Sequence, residues 1–161
     1  KLEYSVCGAP GGVPVYYQPG YMCSCFVSGT MSAIANEMGV KLISASMPAF
    51  GLSDSYPLEH TRKLSEWPAD VAAVLDKENV QKCHLFGASA GCQHVAVLAR
   101  ALPEERIGNV LFCAPIVPDC TPGVNTGVSP VVKLFKSLMG KPYIGDLLAW
   151  HLRNTPVVEL M

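Results

Sequence analysis

Charge is scarce in this chain. Its 161 residues include 12 basic and 13 acidic side chains, 16% in all, and nowhere do the basic ones form a run. A nucleic-acid partner requires a basic stripe or patch, so that class is set aside. Half of the residues are hydrophobic, yet no apolar stretch reaches the roughly 18 residues of a membrane-spanning helix. Metal-ligand spacings are also lacking. Cys23-Ser24-Cys25 is too close-spaced for a usual zinc pair, and neither a second cysteine pair nor a histidine pair completes it, so no metal and no cofactor is implied. The seven cysteines are odd in number and read as reduced thiols of an intracellular protein, which makes a cytoplasmic location the expectation. Cys83 and Cys113 fall in apolar runs, where cysteine behaves as a small buried hydrophobe. Methionine is not the first residue. Lys1 opens inside a strand-like run, and residues preceding it are expected in the full protein.

What is present is regular alternation. Leu2 to Val6 and Val13 to Tyr17 read as strands separated by the turn Gly8-Ala9-Pro10-Gly11-Gly12. Ser28 is a candidate cap for a helix with an apolar face of Met31, Ile34, Ala35 and Met38, and Gly39 suits its C′ position. Val40 to Ala45 is the next strand, and Pro48 to Pro57 a loop. Trp67, Val71, Val74, Leu75 and Glu78 mark a second helix, and Val95, Leu98, Ala99 and Leu102 a third that Pro103 helps to end. Ile107 to Ala114 is a further strand. Strands alternating with helices imply an α/β fold: a mostly parallel sheet with helices on both faces. After Ala114 the composition shifts. Pro115, Pro118, Pro122 and Pro130 crowd a glycine-containing stretch, followed by apolar stripes at Val131, Leu134, Phe135 and Leu138 and at Ile144, Leu147, Leu148 and His151. Residues 1–118 are thus expected to form the core, and residues 119–161 the start of a helical cap.

The most informative stretch is Cys83-His84-Leu85-Phe86-Gly87-Ala88-Ser89-Ala90-Gly91-Cys92. Mostly apolar residues run into Gly-x-Ser-x-Gly, and a helical pattern follows at once. That is the layout of a nucleophile elbow, with a serine on a tight strand-to-helix turn. Leu85 to Gly87 should then be an internal parallel strand, and Ser89 should adopt an unfavourable φ.

The alternation, this motif and the segment Ser46-Met47-Pro48-Ala49-Phe50-Gly51-Leu52-Ser53-Asp54 together resemble the α/β-hydrolase fold superfamily, and most of all its soluble serine hydrolases with a cap after the sixth strand. The segment is similar to that group's Asp-x-Pro-Gly-x-Gly-x-Ser loop. Pro48, Gly51 and Ser53 match, while Ser46 stands where Asp is usual and Ala49 where Gly is usual. Gln18-Pro19, followed by Gly20, takes the place of that group's His-Gly pair. The resemblance runs from Leu2 to about Ala114 and covers strands two to six of eight, so an N-terminal and central portion of such a chain is expected.

The resemblance implies roles. Ser89 would be the nucleophile in acyl transfer from an ester, thioester or amide, through an acyl-enzyme. The oxyanion donors would be the backbone N–H of Ala90 and that of Gly20 or Tyr21, since Pro19 has no N–H to give. The catalytic histidine of the group falls beyond Met161. His60, His84, His94 and His151 are therefore read as structural or exposed. Asp119, in Pro118-Asp119-Cys120, is the one candidate for the acid, with a plain turn residue as its other reading. Tyr21, Met22, Phe135 and Trp150 could line an apolar acyl pocket or simply pack. The expected partner is a small-molecule acyl substrate, and the oligomeric state is left open. The altered loops keep a second reading alive: a non-catalytic hydrolase-like protein that uses the fold for binding.

Overall fold

A computed structural model describes residues 1–56 and 62–116, together with Pro122 and Pro130. The chain divides into a compact unit, Lys1–Ile116, and a second unit, Val117–Met161. The secondary structure given below belongs to the first. The boundary expected at residue 118 and the helical stripes expected beyond it lie outside the described residues.

Five strands form one sheet: β1 (Tyr4–Gly8), β2 (Val13–Gln18), β3 (Val40–Ala45), β4 (Cys83–Ala88) and β5 (Ile107–Cys113). Their spatial order is β1-β3-β2-β4-β5. Only β1 is antiparallel to its neighbour, and β3, β2, β4 and β5 run parallel. The parallel strands need crossovers. Helix α1 (Ser32–Glu37) connects β2 to β3, α2 (Trp67–Lys77) connects β3 to β4, and α3 (Gly91–Ala101) connects β4 to β5. The fold class is the α/β arrangement that the alternation implies, and Leu85 to Gly87 lie in a strand paired on both sides.

Period-two alternation divides the core between the two faces of the sheet. Tyr16, Ile43, Cys83 and Leu85 point to one face, which α2 covers with Trp67, Val71, Val74 and Leu75, and α3 with Val95 and Leu98. Tyr17, Leu42 and the partly buried Phe86 point to the other, which Ala35 of α1 helps to cover. The larger cluster holds the largest fully buried side chains, among them Trp67, Tyr16, Ile43 and Leu75. Each aliphatic or aromatic side chain of this kind contributes about 1.5–3 kcal/mol on leaving water. Helix α2 carries Asp70 in its first turn and Lys77 in its last, both suited to the helix dipole.

Two expectations are corrected. The helix before β3 is shorter than its periodicity predicts. A 3-10 segment, Cys25–Met31, precedes a six-residue α1. Ser28 is buried in that segment and donates to the Cys25 carbonyl at 2.7 Å rather than capping α1. Ile34 and Met38 consequently face solvent, while Ala35 is buried. Second, β5 is not a buried strand. Leu111 is 59% exposed and Phe112 45%. Cys113 is exposed as well; among the described residues β5 pairs only with β4, and α3 packs against it.

The contrast between neighbouring strands gives a direct check. Leu85→Ala removes a side chain that is 1% exposed and should cost about 2–5 kcal/mol. Leu111→Ala in β5 should change stability by less than about 0.5 kcal/mol. Urea denaturation of both variants measures the difference.

Candidate active site

The C-terminal ends of β2, β3 and β4 converge, and the loops that leave them hold the candidate residues. Ser89 joins β4 to α3 with φ at 51°, in the left-handed region that a β-carbon disfavours. Holding a non-glycine residue there costs on the order of 1–3 kcal/mol. The turn is pinned from both sides. The Ser89 N–H donates to the Cys113 carbonyl at 2.9 Å, and the Ser89 carbonyl accepts from the Cys92 N–H at 3.1 Å. The glycines on either side are required by space. A β-carbon on Gly91 would lie 2.2 Å from the Gln18 carbonyl oxygen and 2.6 Å from that of Pro19. One on Gly87 would lie 2.8 Å from Cys92 Cα. In each case the obstruction is backbone, which cannot step aside.

Gly20 faces this turn. A β-carbon placed on it would sit 3.2 Å from Ser89 Cβ and 3.7 Å from Ser89 Oγ. The Gln18 side chain, in the position where His is usual in the resembled family, is wholly buried and reaches the other way. Its Oε1 accepts from Tyr16 Oη at 2.7 Å and from Trp67 Nε1 at 3.0 Å, while its Nε2 has no partner among the described residues. The backbone N–H groups of Ala90, Gly20 and Tyr21 also have no hydrogen-bond partner among the described residues. Ser89 is half-buried, so a ligand atom can reach it.

No histidine or carboxylate among the described residues hydrogen-bonds Ser89. His84 sits on β4, where its Nδ1 accepts the Asn109 N–H at 2.8 Å beside an irregularity in the β4–β5 pairing. His94 lies one turn along α3, with Nδ1 3.3 Å from the Ala90 carbonyl and its ring edge-on to Trp67. Burial lowers its pKa, the Ala90 carbonyl opposes that shift, and the Arg62 charge adds to it. Tyr21 and Met22 are exposed, and Tyr21 meets Phe50 edge-on with centroids 6.1 Å apart. Asp119, His60, His151, Phe135 and Trp150 lie outside the described residues.

The loop after β3 contains a carboxylate that sequence reasoning missed. Ser46 Oγ donates to Glu3 Oε2 at 2.8 Å and accepts from the Cys25 N–H at 2.8 Å. Glu3 Oε2 also accepts from the Leu52 N–H at 2.9 Å, and the Glu3 N–H donates to Ser53 Oγ. Glu3 thus supplies, from the segment leading into β1, the carboxylate that an Asp at position 46 would have carried. Tyr4 pairs with Ala45 in the β1–β3 register, which sets Glu3 beside Ser46. The signal was the serine itself, standing where a carboxylate is usual. Ala49, in place of glycine, holds φ at 67°. Beside this loop a cavity of about 520 Å³ is lined by Met47, Phe50, Tyr56, Arg62, Trp67 and His94, among others. Ser89 is not part of its wall.

No family model matches the sequence, and no curated protein matches it. Solved structures do. An esterase from Rhodococcus sp. ECU1013 is 25% identical, with a TM-score of 0.61 over 71% of this chain and 42% of its own. An enol-lactonase from Burkholderia xenovorans LB400 is 16% identical, with a TM-score of 0.61 over 71% of this chain and 43% of its own. A structure from work on carboxylesterases of the thaumarchaeon Nitrososphaera gargenis is 13% identical, with a TM-score of 0.63 over 71% and 42%. The chain therefore spans about two fifths of the length of these proteins, and its fold is that of the α/β-hydrolases. No helix among the described residues is long and apolar enough to cross a membrane.

The hydrogen bonds from the Leu52 N–H and from Ser46 hold Glu3 below its ordinary pKa, with burial opposing them. A lowered folded-state pKa contributes stability that is present above the unfolded value, about 4.3, and lost as pH falls through the folded value. Glu3→Gln should therefore destabilise the protein at pH 7 by about 1 kcal/mol. The difference between variant and wild type should shrink below about pH 4. Thermal melts across pH 3 to 8 check both statements.

Proposed function

We propose, taking the α/β-hydrolase fold as premise, that this chain carries the nucleophile and oxyanion elements of a serine hydrolase that cleaves an ester, thioester or amide through an acyl-enzyme at Ser89. The observation that carries the reading is the strained φ of 51° at Ser89, held between a parallel strand and a helix start. Strain of this kind persists where surrounding structure over-determines it, and it clusters at reactive sites. At such a turn the hydroxyl stands clear of both elements and can attack a carbonyl carbon. The charge then develops on the carbonyl oxygen. Uncommitted N–H groups stabilise that charge, and Ala90 has one at the start of α3, where the helix dipole adds to it. Gly20 or Tyr21 offers the second from the facing loop. The serine proton passes to a general base outside the described residues, and Asp119 remains a proposed acid that would orient it. A small-molecule acyl substrate follows, and residues 119–161 would begin the cap over it. The esterases and the lactonase of similar fold support this reading.

A second reading rests on Gln18. Its side chain is locked to Trp67 and Tyr16, and no described histidine reaches Ser89. A protein that kept the fold for binding and lost the chemistry would look the same at these positions.

Fluorophosphonate labelling separates the two. The full-length protein should label at Ser89, as located by peptide mapping, and Ser89→Ala should abolish the adduct. Absence of an adduct, or equal labelling of Ser89→Ala, would favour the binding reading.

A further inference from the structure

We propose that the cavity between the post-β3 loop and the start of α2 is a binding site for an uncharged aromatic group. Its volume, about 520 Å³, is within the range of small-molecule sites. Its walls present carbon. Phe50 and Tyr56 offer ring surface, Met47, Pro48 and Leu64 offer aliphatic surface, and the almost wholly buried Trp67 backs the inner wall. The polar groups of its inner wall are already committed. Trp67 Nε1 donates to Gln18 Oε1 at 3.0 Å, which leaves the Trp67 ring rather than its N–H for a ligand. The Arg62 guanidinium donates to Asp70 and to Tyr56 Oη, and lies 3.9 Å from Glu66. It also sits over the Tyr56 ring at 4.8 Å and the Trp67 ring at 5.4 Å. With two carboxylates about the Arg62 guanidinium, the inner wall does not reward an anion, and the other lining cation, Lys63, stands exposed to water at the mouth. The guanidinium in turn occupies the place over both rings where a ligand cation would gain most. His94 Nδ1 faces the Ala90 carbonyl, and partial burial disfavours the charged form of its ring. A flat, neutral ring meets these walls without desolvating a charge.

The site borders the candidate nucleophile. His94 stands four residues beyond Ala90 on α3, about 6 Å along the helix. Phe50 meets Tyr21 edge-on, and Tyr21 follows the Gly20 that faces Ser89. In this respect the inference rests on the hydrolase reading, in which the cavity holds the unreactive part of the substrate. The binding itself does not depend on Ser89 chemistry.

Three probes of one shape and three charges test it: para-fluorobenzyl alcohol, para-fluorobenzoate and para-fluorobenzylamine, each titrated against the protein and followed by fluorine NMR. The alcohol should bind and saturate, and more tightly than either ion. Ser89→Ala should bind it as wild type does. Leu64→Trp, which fills the cavity from one wall, should weaken binding by about tenfold or more. Ser55→Phe fills it from the other side and serves in place of Leu64→Trp if that variant loses its cooperative thermal melt. No saturable binding of the alcohol, tighter binding of the benzoate or the amine, or unchanged binding in the filled variants would overturn the assignment. If Ser89 gives no fluorophosphonate adduct while the alcohol binds and the filled variants lose it, the hydrolase reading fails and the cavity assignment stands.

Discussion

The contact on which the site depends is the approach of the Gln18 and Pro19 carbonyls to Gly91. There is no room for a methyl group between them, since a β-carbon on Gly91 would lie 2.2 Å from the nearer oxygen. That approach brings the exit of β2 against the first turn of α3 and sets Gly20 opposite Ser89. It is secured on either side. In the sheet, Gln18 pairs with Gly87, two residues before Ser89. Across the core, its side chain ties Tyr16 to Trp67 at the start of α2. One glutamine thus joins the strand before the site, the strand that carries the serine and the helix that walls the cavity. Backbone and side chain serve different partners, and the buried Nε2 is left with none among the described residues.

The second dependence is a transferred carboxylate. The loop after β3 resembles one that starts with Asp, and here starts with Ser46. The negative charge stands instead on Glu3, on the segment leading into β1, and two hydrogen bonds from the loop, from Ser46 Oγ and the Leu52 N–H, run to its Oε2. An antiparallel first strand makes the exchange feasible, because it places Glu3 beside Ser46. The altered motif is therefore compensated in three dimensions. At Ala49 the left-handed φ is retained by alanine, in a turn held by the Ala49 N–H donating to the Asp54 carbonyl at 3.3 Å.

Much of this was legible in the sequence. Alternating strands and helices, the apolar faces of α2 and α3, and the strained serine between Gly87 and Gly91 all follow from local pattern, and local pattern dictates them physically. What was not legible needed a neighbour. Ile34 and Met38 carry the right spacing for a core face, yet a 3-10 segment shortens the helix and turns them outward. The apolar residues of β5 read as buried, but apolarity does not say which strand or helix lies beside them. Glu3 looked like one polar position in an alternating strand until register set it beside Ser46. Gln18 read only as a departure from His-Gly, and its bonds to Trp67 and Tyr16 depend on packing across the sheet.

The site proposed at Ser89 and the N–H groups around it is complementary to a tetrahedral, negatively charged acyl centre. A crystal structure of the protein soaked with phenylboronic acid tests this most directly, because a boronate becomes tetrahedral and anionic when a serine bonds it. The account predicts a bond from Ser89 Oγ to boron, with one boronate oxygen within about 3.1 Å of the Ala90 N–H and of the Gly20 or Tyr21 N–H. A boronate bonded elsewhere, or bonded to Ser89 with neither N–H reaching its oxygens, would contradict it.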